Sequence, residues 1–299
     1  MKKSVKAGMF TGLLVFSSAF LGMQPTAEAT LLYHEGFGYG LGELSAASGG
    51  VWTPQVQVDN NNSGDTPQWE VGAGSLTYSK NGNSVATSGN TAVAYLPGAS
   101  DQLIYSASLG QTFSSGTIWI GWLQVASDGG FQDTGIAFDN IPAANLPFLS
   151  TGNNTAVAEE LTVAVFDNDL EFDAPGNGIL VDTGLDGVDD AETSAVASSE
   201  NADFIVLEVD LDNDLFDLYV NPDPLNLNDN DYSFSDMAFN GDISVASIFR
   251  FNDFFAGDFT GWYDEIRIAT SYAEVTGIPE PSSLMMLSVA GLLSALRRR

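Results

Sequence analysis

FIVLEVDLDNDLFDLYV, residues 204–220, decides the fold of this chain. Ile205, Leu207, Val209 and Leu211 fall on one parity and Glu208 and Asp210 on the other, the period of a strand with one buried face. Asp212-Asn213-Asp214 then supplies three residues that tolerate turn conformations. LFDLYVN (215–221) alternates again, so the stretch reads as a β-hairpin.

The neighbouring segments follow the same grammar. GTIWIGWLQVA (116–126) is apolar on both parities, as expected for a central strand covered on both faces. LTVAVFDNDLEF (161–172) reads as a second hairpin around another Asp-Asn-Asp turn. ISVASIFRF (243–251) and WYDEIRIA (262–269) read as late strands, and the small, polar stretch 173–203 as a long excursion at one end. There is no amphipathic helix and no internal repeat. The prediction is an all-β fold, a single antiparallel β-sandwich (jelly roll) over residues 30–275.

Both ends are addresses rather than structure. Lys2, Lys3 and Lys6 precede an apolar run from Met9 to Met23, and Ala27-Glu28-Ala29 offers the small-x-small pattern read by signal peptidase. Residues 1–29 are therefore expected to be a cleaved secretory signal. In the closing segment, 276–299, the apolar run Leu284 to Leu296 reaches only about 20 Å as a helix. The hydrocarbon core is about 30 Å thick. Arg297, Arg298 and Arg299 follow directly and are retained on the cytoplasmic side, so the tail reads as a stop-transfer anchor with the body outside. Pro279 and Pro281 hold Glu280 in an extended stretch suited to a protease cleft.

Pro279-Glu280-Pro281, a short apolar helix and an arginine cluster, in that order, resemble the PEP-CTERM sorting signal. The resemblance implies transient inner-membrane anchoring, processing by an exosortase, and residence at the cell surface or in the polysaccharide matrix of a Gram-negative bacterium. LLYHEGFGYG (31–40), the hairpin ending in Asn221-Pro222, and WYDEIRIATSYAEVT (262–276) resemble exported PEP-CTERM proteins with a concanavalin A-like (laminin-G-like) jelly-roll body. That likeness implies that the first and last strands pair.

Between the two signals the body keeps only Lys80, Arg250 and Arg267 against 37 acidic residues, a net charge near −34. Such a surface repels nucleic acid and anionic membrane and favours divalent cations or a salty medium. With no cysteine, thiolate metal sites are excluded and the fold must rest on its core. His34 is the sole histidine, so multi-histidine metal sites are excluded and a Ser-His-Asp triad could use only this residue.

Four sets of residues carry the candidate chemistry. Asp264 shares parity with Trp262, Ile266 and Ile268, so it is expected to face inward. There it needs a metal, backbone hydrogen bonds or Arg250 as a partner. The jelly-roll resemblance implies a structural Ca2+ joining Asp264 to oxygen near Glu35. Asp210, Asp212 and Asp214 imitate the start of a calcium loop, but Leu215 and Asn221 replace its glycine and glutamate. Asp182, Asp186, Asp189 and Asp190 crowd another turn-like stretch, and solvated turns explain both. Glu208, Asp210 and Asp212 are similar to the Glu-x-Asp-x-(x)-Glu strand of laminarinase-like glycoside hydrolases, with Glu208 as the nucleophile and a shorter acid in the last place. Trp52 and Trp69 are expected to lie in Gly/Asn/Pro-rich loops and are the sugar-stacking candidates. Trp119 and Trp122 have opposite parity, so at most one faces a groove. The expectation is a non-enzymatic, calcium-stabilised surface or matrix protein with extracellular polysaccharide as its partner. A glycoside hydrolase on the same fold and an acidic structural protein crosslinked by divalent ions are the alternatives.

Overall fold

The computed structural model describes residues 29–58, 66–95, 102–126, 132–138, 162–167, 177–182, 191–193, 202–238, 242–252 and 261–278. The two terminal segments read above as sorting signals otherwise lie outside them, including Ala27, Pro279, Glu280, Pro281 and the three terminal arginines. Among the described residues no helix is long and apolar enough to cross a membrane.

The strands are numbered β1 to β18 in chain order. One antiparallel sheet, sheet A, runs β16 (Tyr232–Ala238), β15 (Leu215–Val220), β14 (Asp203–Asp210), β9 (Thr117–Ala126), β18 (Gly261–Ala269), β7 (Thr91–Tyr95), β4 (Gln68–Gly72) and β2 (Gly42–Glu43). In addition, β1 (Leu31–Glu35) pairs with β18. Sheet B runs β13 (Ala191–Thr193), β12 (Asn177–Asp182), β11 (Thr162–Asp167), β10 (Gln132–Ala137), β17 (Ile243–Asn252), β8 (Gln102–Phe113) and β3 (Trp52–Val58). A small hairpin, β5 (Ser79–Lys80) with β6 (Asn83–Ser84), and two short helices, α1 (Leu44–Ala47) and α2 (Tyr272–Thr276), complete the described elements.

The hairpin read from the sequence is formed by β14 and β15, with Asp210 opposite Leu215 across the 211–214 turn. Ile205, Leu207, Val209 and Leu211 are buried on its inner face, and Glu208 and Asp210 stand half-buried on the other. These apolar residues meet Trp52, Leu103, Tyr105, Ile136 and Ile248 of sheet B in one core, which makes the two sheets a β-sandwich. The pairing of first and last strands is also present, Glu35 opposite Ile266 and Tyr33 opposite Ile268.

Sheet A is covered on its second face as well, as the double-sided apolar pattern of β9 requires. Val85, Leu123, Phe204, Val206, Ala269 and Val275 form a smaller core there, with Leu76, Tyr78, Trp119, Tyr219, Leu227 and Tyr272 packed against it. The covering pieces are the strap 73–90, the loop 221–231 and α2.

Three expectations are corrected by the fold. The strand at 162–167 pairs with 177–182 rather than within residues 161–172, so the polar excursion begins with an added strand of sheet B. The parity of β18 switches partway along: the register shifts between Asp264 and Arg267, and Glu265 takes φ +54°. One extra residue in a bulge moves every following side chain to the other face. Tyr263, Ile266 and Ile268 therefore enter the main core, while Trp262 stands apart from it. Asp264, opposite Leu123 of the smaller core, faces the strap. Third, Trp52 and Trp69 are strand residues with no exposed surface. Trp52 stacks on Phe37 at 5.7 Å and Trp69 meets Tyr263 edge-on at 5.5 Å. Their alternating strands WTPQVQV and QWEVG outweigh the turn residues flanking them.

Candidate functional site

The predicted calcium pair is separated by sheet A. Glu35 points between the sheets, where its oxygens accept hydrogen bonds from the Phe37 amide (2.7 Å), the Tyr39 hydroxyl (2.6 Å) and the Trp52 indole N–H (2.9 Å). Asp264 lies on the opposite face with no exposed surface, accepting the amides of Leu76 and Glu265, both at 2.8 Å. Burial pushes its carboxyl up to about 8. Each carboxylate is ringed by donor hydrogens, which repel a cation, so the two do not form a shared metal site. Among the described residues no group of three or more histidine or carboxylate side chains is placed to hold a metal ion. The alternative reading of Asp264, a buried acid satisfied by backbone, is the one observed. Arg250's side chain lies outside the described set.

The bulge that turns Asp264 aside also buries Glu265 and Arg267. Glu265 Oε2 accepts from Arg267 Nη2 at 2.6 Å and meets His34 Nε2 at 2.7 Å, while Oε1 accepts the Ser88 amide. Despite burial, these partners hold the Glu265 carboxyl below the usual range, His34 first and Arg267 next. Arg267 also donates to the carbonyls of Ala86 and Val275, joining the strap and α2 to the sheet. Ser88 Oγ and His34 Nε2 both lie within 3.3 Å of the point a Cβ on Gly36 would occupy. His34 Nε2 is the nitrogen held by Glu265. These bonds tie β1, the strap and α2 to β18, so the cluster acts as a clamp.

A second clamp uses the other described cation of the body. Lys80 Nζ binds Asp231 (2.9 Å), Asp229 (3.4 Å) and the Asn221 carbonyl (3.0 Å). Asn81 and Asn83 donate to the Asp223 carboxylate at 2.8 and 2.9 Å. Together these fix the β5–β6 hairpin on the loop 221–231.

The carboxylates of the hydrolase-like motif part company. Asp210 accepts the Asp212 amide (3.1 Å) and the Asn213 side chain (2.8 Å), which hold its carboxyl low. Asp212 itself accepts the Gly116 amide at 3.1 Å from within the turn. Both acids serve the hairpin turn. Glu208 is left on the outer face, and its partner there is Asp217, directly opposite on β15. Burial, then Asp217 and Asp210, push the Glu208 carboxyl up.

On the other side of Glu208, in the same register row, stands Trp119 of β9. Its ring lies 5.8 Å from Tyr272 of α2. Tyr219, one step along β15, donates to Asp217 at 3.4 Å, and burial with Asp217 and Glu208 pushes its hydroxyl up to about 12. Trp119, Glu208, Asp217, Tyr219 and Tyr272 are all half-buried. This open end of sheet A's outer face combines aromatic surface with hydrogen-bond acceptors on rigid strands. Chemically it suits a flat, polyhydroxylated or amine-bearing ligand that stacks and donates hydrogen bonds. Asp217 and Tyr219 were absent from the sequence-derived candidates. The alternation of LFDLYVN, continued across the 211–214 turn, already puts them beside Glu208.

No family model matches the chain, and no curated protein is similar to it in sequence. Among solved structures it is similar to the basic winged bean lectin with Tn-antigen, at 11% identity, over 79% of this chain and 97% of the lectin, with a TM-score of 0.43. It is similar to the globular domain of T. cruzi calreticulin at 10% identity, over 90% of this chain and 99% of that one, with a TM-score of 0.44. The potassium-bound carbohydrate recognition domain of Emp46p matches at 12% identity, over 79% and 96% of the two chains, with a TM-score of 0.41.

Proposed function

We propose that this chain is an exported, exosortase-sorted β-sandwich protein of the cell surface or polysaccharide matrix that binds glycan on the open end of sheet A. The observation that carries the reading is the row Trp119–Glu208–Asp217 with Tyr219 beside it: half-buried aromatic rings at the margin of the smaller core, next to carboxylates on rigid strands. Aromatic side chains in such a position offer apolar area to the C–H face of a sugar, and the acids accept its hydroxyl hydrogens. Export and sorting are supported by the signal at Lys2–Ala29 and the tail Pro279–Arg299.

The test is retention on a panel of insoluble and extracellular polysaccharides, comparing the wild type with Trp119→Ala. Retention lost in the variant at an unchanged melting midpoint supports the site. Equal retention by both, or none by the wild type, sinks it. Mass measurement of the protein recovered from a Gram-negative host with an exosortase tests the two cleavages independently.

A further inference from the structure

The glycan-binding reading leaves the charge of the polymer open, and the outer face answers it. Glu208 and Asp217 are like charges directly opposite each other on neighbouring strands, an arrangement that destabilises a sheet. Glu208 takes no hydrogen bond from any described residue. Asp217 receives the Asp236 amide at 2.8 Å and the Tyr219 hydroxyl. Asp210 adds a third carboxylate on the same face. The two cations of the body whose side chains are described are committed elsewhere, Lys80 to Asp229 and Asp231 and Arg267 to Glu265. The row therefore carries repulsion that the described residues relieve at Asp217 and not at Glu208, with Trp119 next to Glu208 and Tyr219 in the adjoining row.

We propose that this half-exposed end of the sheet face docks a cationic amino-polysaccharide, a glucosamine-type polymer whose ammonium groups sit between Glu208 and Asp217 while its rings pack on the exposed parts of Trp119 and Tyr219. The proposal rests on the glycan-binding reading and narrows it. Charge complementarity selects this occupant over the others. A neutral glycan leaves the Glu208–Asp217 repulsion standing, and a polyuronate or sulfated polymer adds to it. At longer range the body's net charge near −34 repels polyanions and attracts polycations. An ammonium held beside the Trp119 face gains from the ring's negative surface as well as from the acids. From the Trp119 strand to the Asp236 strand is three interstrand steps, about 14 Å, the scale of a short oligosaccharide.

The experiment is titration of the full chain with a glucosamine hexamer, its N-acetylated counterpart and an oligouronate. It is run at about pH 6, below the ordinary range of an amine, and at low and high salt. The glucosamine hexamer is expected to bind, with affinity that falls as salt rises. Glu208→Gln combined with Asp217→Asn is expected to weaken binding about tenfold or more, through two lost charge-assisted contacts. The melting midpoint of that double variant should hold or rise, because the like-charge pair is gone. Glu208→Gln alone provides the same readout if the double variant does not fold. Equal binding of the N-acetylated hexamer, or undiminished binding by the charge-neutral variants, overturns the cationic inference while leaving glycan binding intact. Oligouronate bound only with added calcium also overturns it, in favour of ion bridging. Binding of no glycan at all brings down both readings.

Discussion

Replacing Arg267 by methionine removes the positive centre of the clamp while keeping much of the side chain's apolar length. Arg267 is 5% exposed and donates to Glu265, Ala86 and Val275. A surface ion pair is worth about 0–1 kcal/mol. This pair is desolvated, and its loss leaves Glu265, at 1% exposure, with only His34 and the Ser88 amide. Removing one partner of a buried pair costs about 3–5 kcal/mol. For a body of this size each kcal/mol lowers Tm by about 2–4 °C, so a fall of roughly 6–20 °C is expected. The assay is urea denaturation read by tryptophan fluorescence, with hydrogen exchange of peptides spanning 84–90 and 270–278. The exchange data should show the strap and α2 loosening first, because Arg267 joins both to β18. In a His34→Ala background the loss should be larger, since Glu265 then keeps no side-chain partner; coupling of this kind is the mark of a shared network. A loss under about 1 kcal/mol, or exchange unchanged in both segments, would refute the reasoning and demote the clamp to a surface-like pair.

Other outcomes follow from the same structure. Trp52→Ala and Trp69→Ala should each cost about 3–5 kcal/mol by thermal or urea melts, because both rings fill the core. The polysaccharide retention of their folded fractions should match wild type, unlike that of Trp119→Ala. Gly277→Ala should destabilise the α2 end: Gly277 has φ +67°, and its added Cβ would come within 2.3 Å of Arg267 Nη1 and 2.8 Å of Ala86 Cβ. Left-handed backbone costs a non-glycine residue about 1–2 kcal/mol before any displacement of Arg267 is counted. For Asp264 the sign is set by a folded pKa of about 8, above the ordinary carboxylate value of about 3.9. The unfolded chain releases this proton first, so the residue lowers stability progressively as pH rises from about 4 to 8. Asp264→Asn should flatten that fall, as read from urea midpoints at several pH values; an unchanged slope would show that Asp264 is ionised in the fold.

The hairpin at 204–220 and the doubly covered β9 were legible because their side chains alternate without interruption and register leaves no freedom. The end of β18 was not. Period-two counting assumes an unbroken pleat, and the inserted residue at Glu265 breaks it, turning the apparent inward partner of Ile266 into a residue facing the strap. The tryptophans were misplaced for a related reason. Gly49-Gly50 and Pro54 beside Trp52, and Pro67 and Gly72 beside Trp69, are turn and edge residues, whereas the burial of Trp52 with Val56 and of Trp69 with Val71 follows the strand period. At the outer face the motif Glu208-x-Asp210 was legible as an acidic strand face. Its true partner, Asp217, comes from the neighbouring strand, so a search along one strand misses it.

The strand order of sheet A also fixes a timetable. β18 lies between β9 and β7 and carries β1 besides, yet it is the last of the described strands. Until residues 261–269 are delivered, β7 with β4 and β2 has no seam to the rest of the sheet, and β1 has no partner strand among the described residues. A chain that emerges N-terminus first must therefore wait, its half-built sheet showing unpaired edges, until β18 is delivered. Nonlocal pairing of this kind is slow and exposes sticky edges while it is incomplete. A body with so few cations and so many acids keeps those waiting edges, in neighbouring copies, from finding one another.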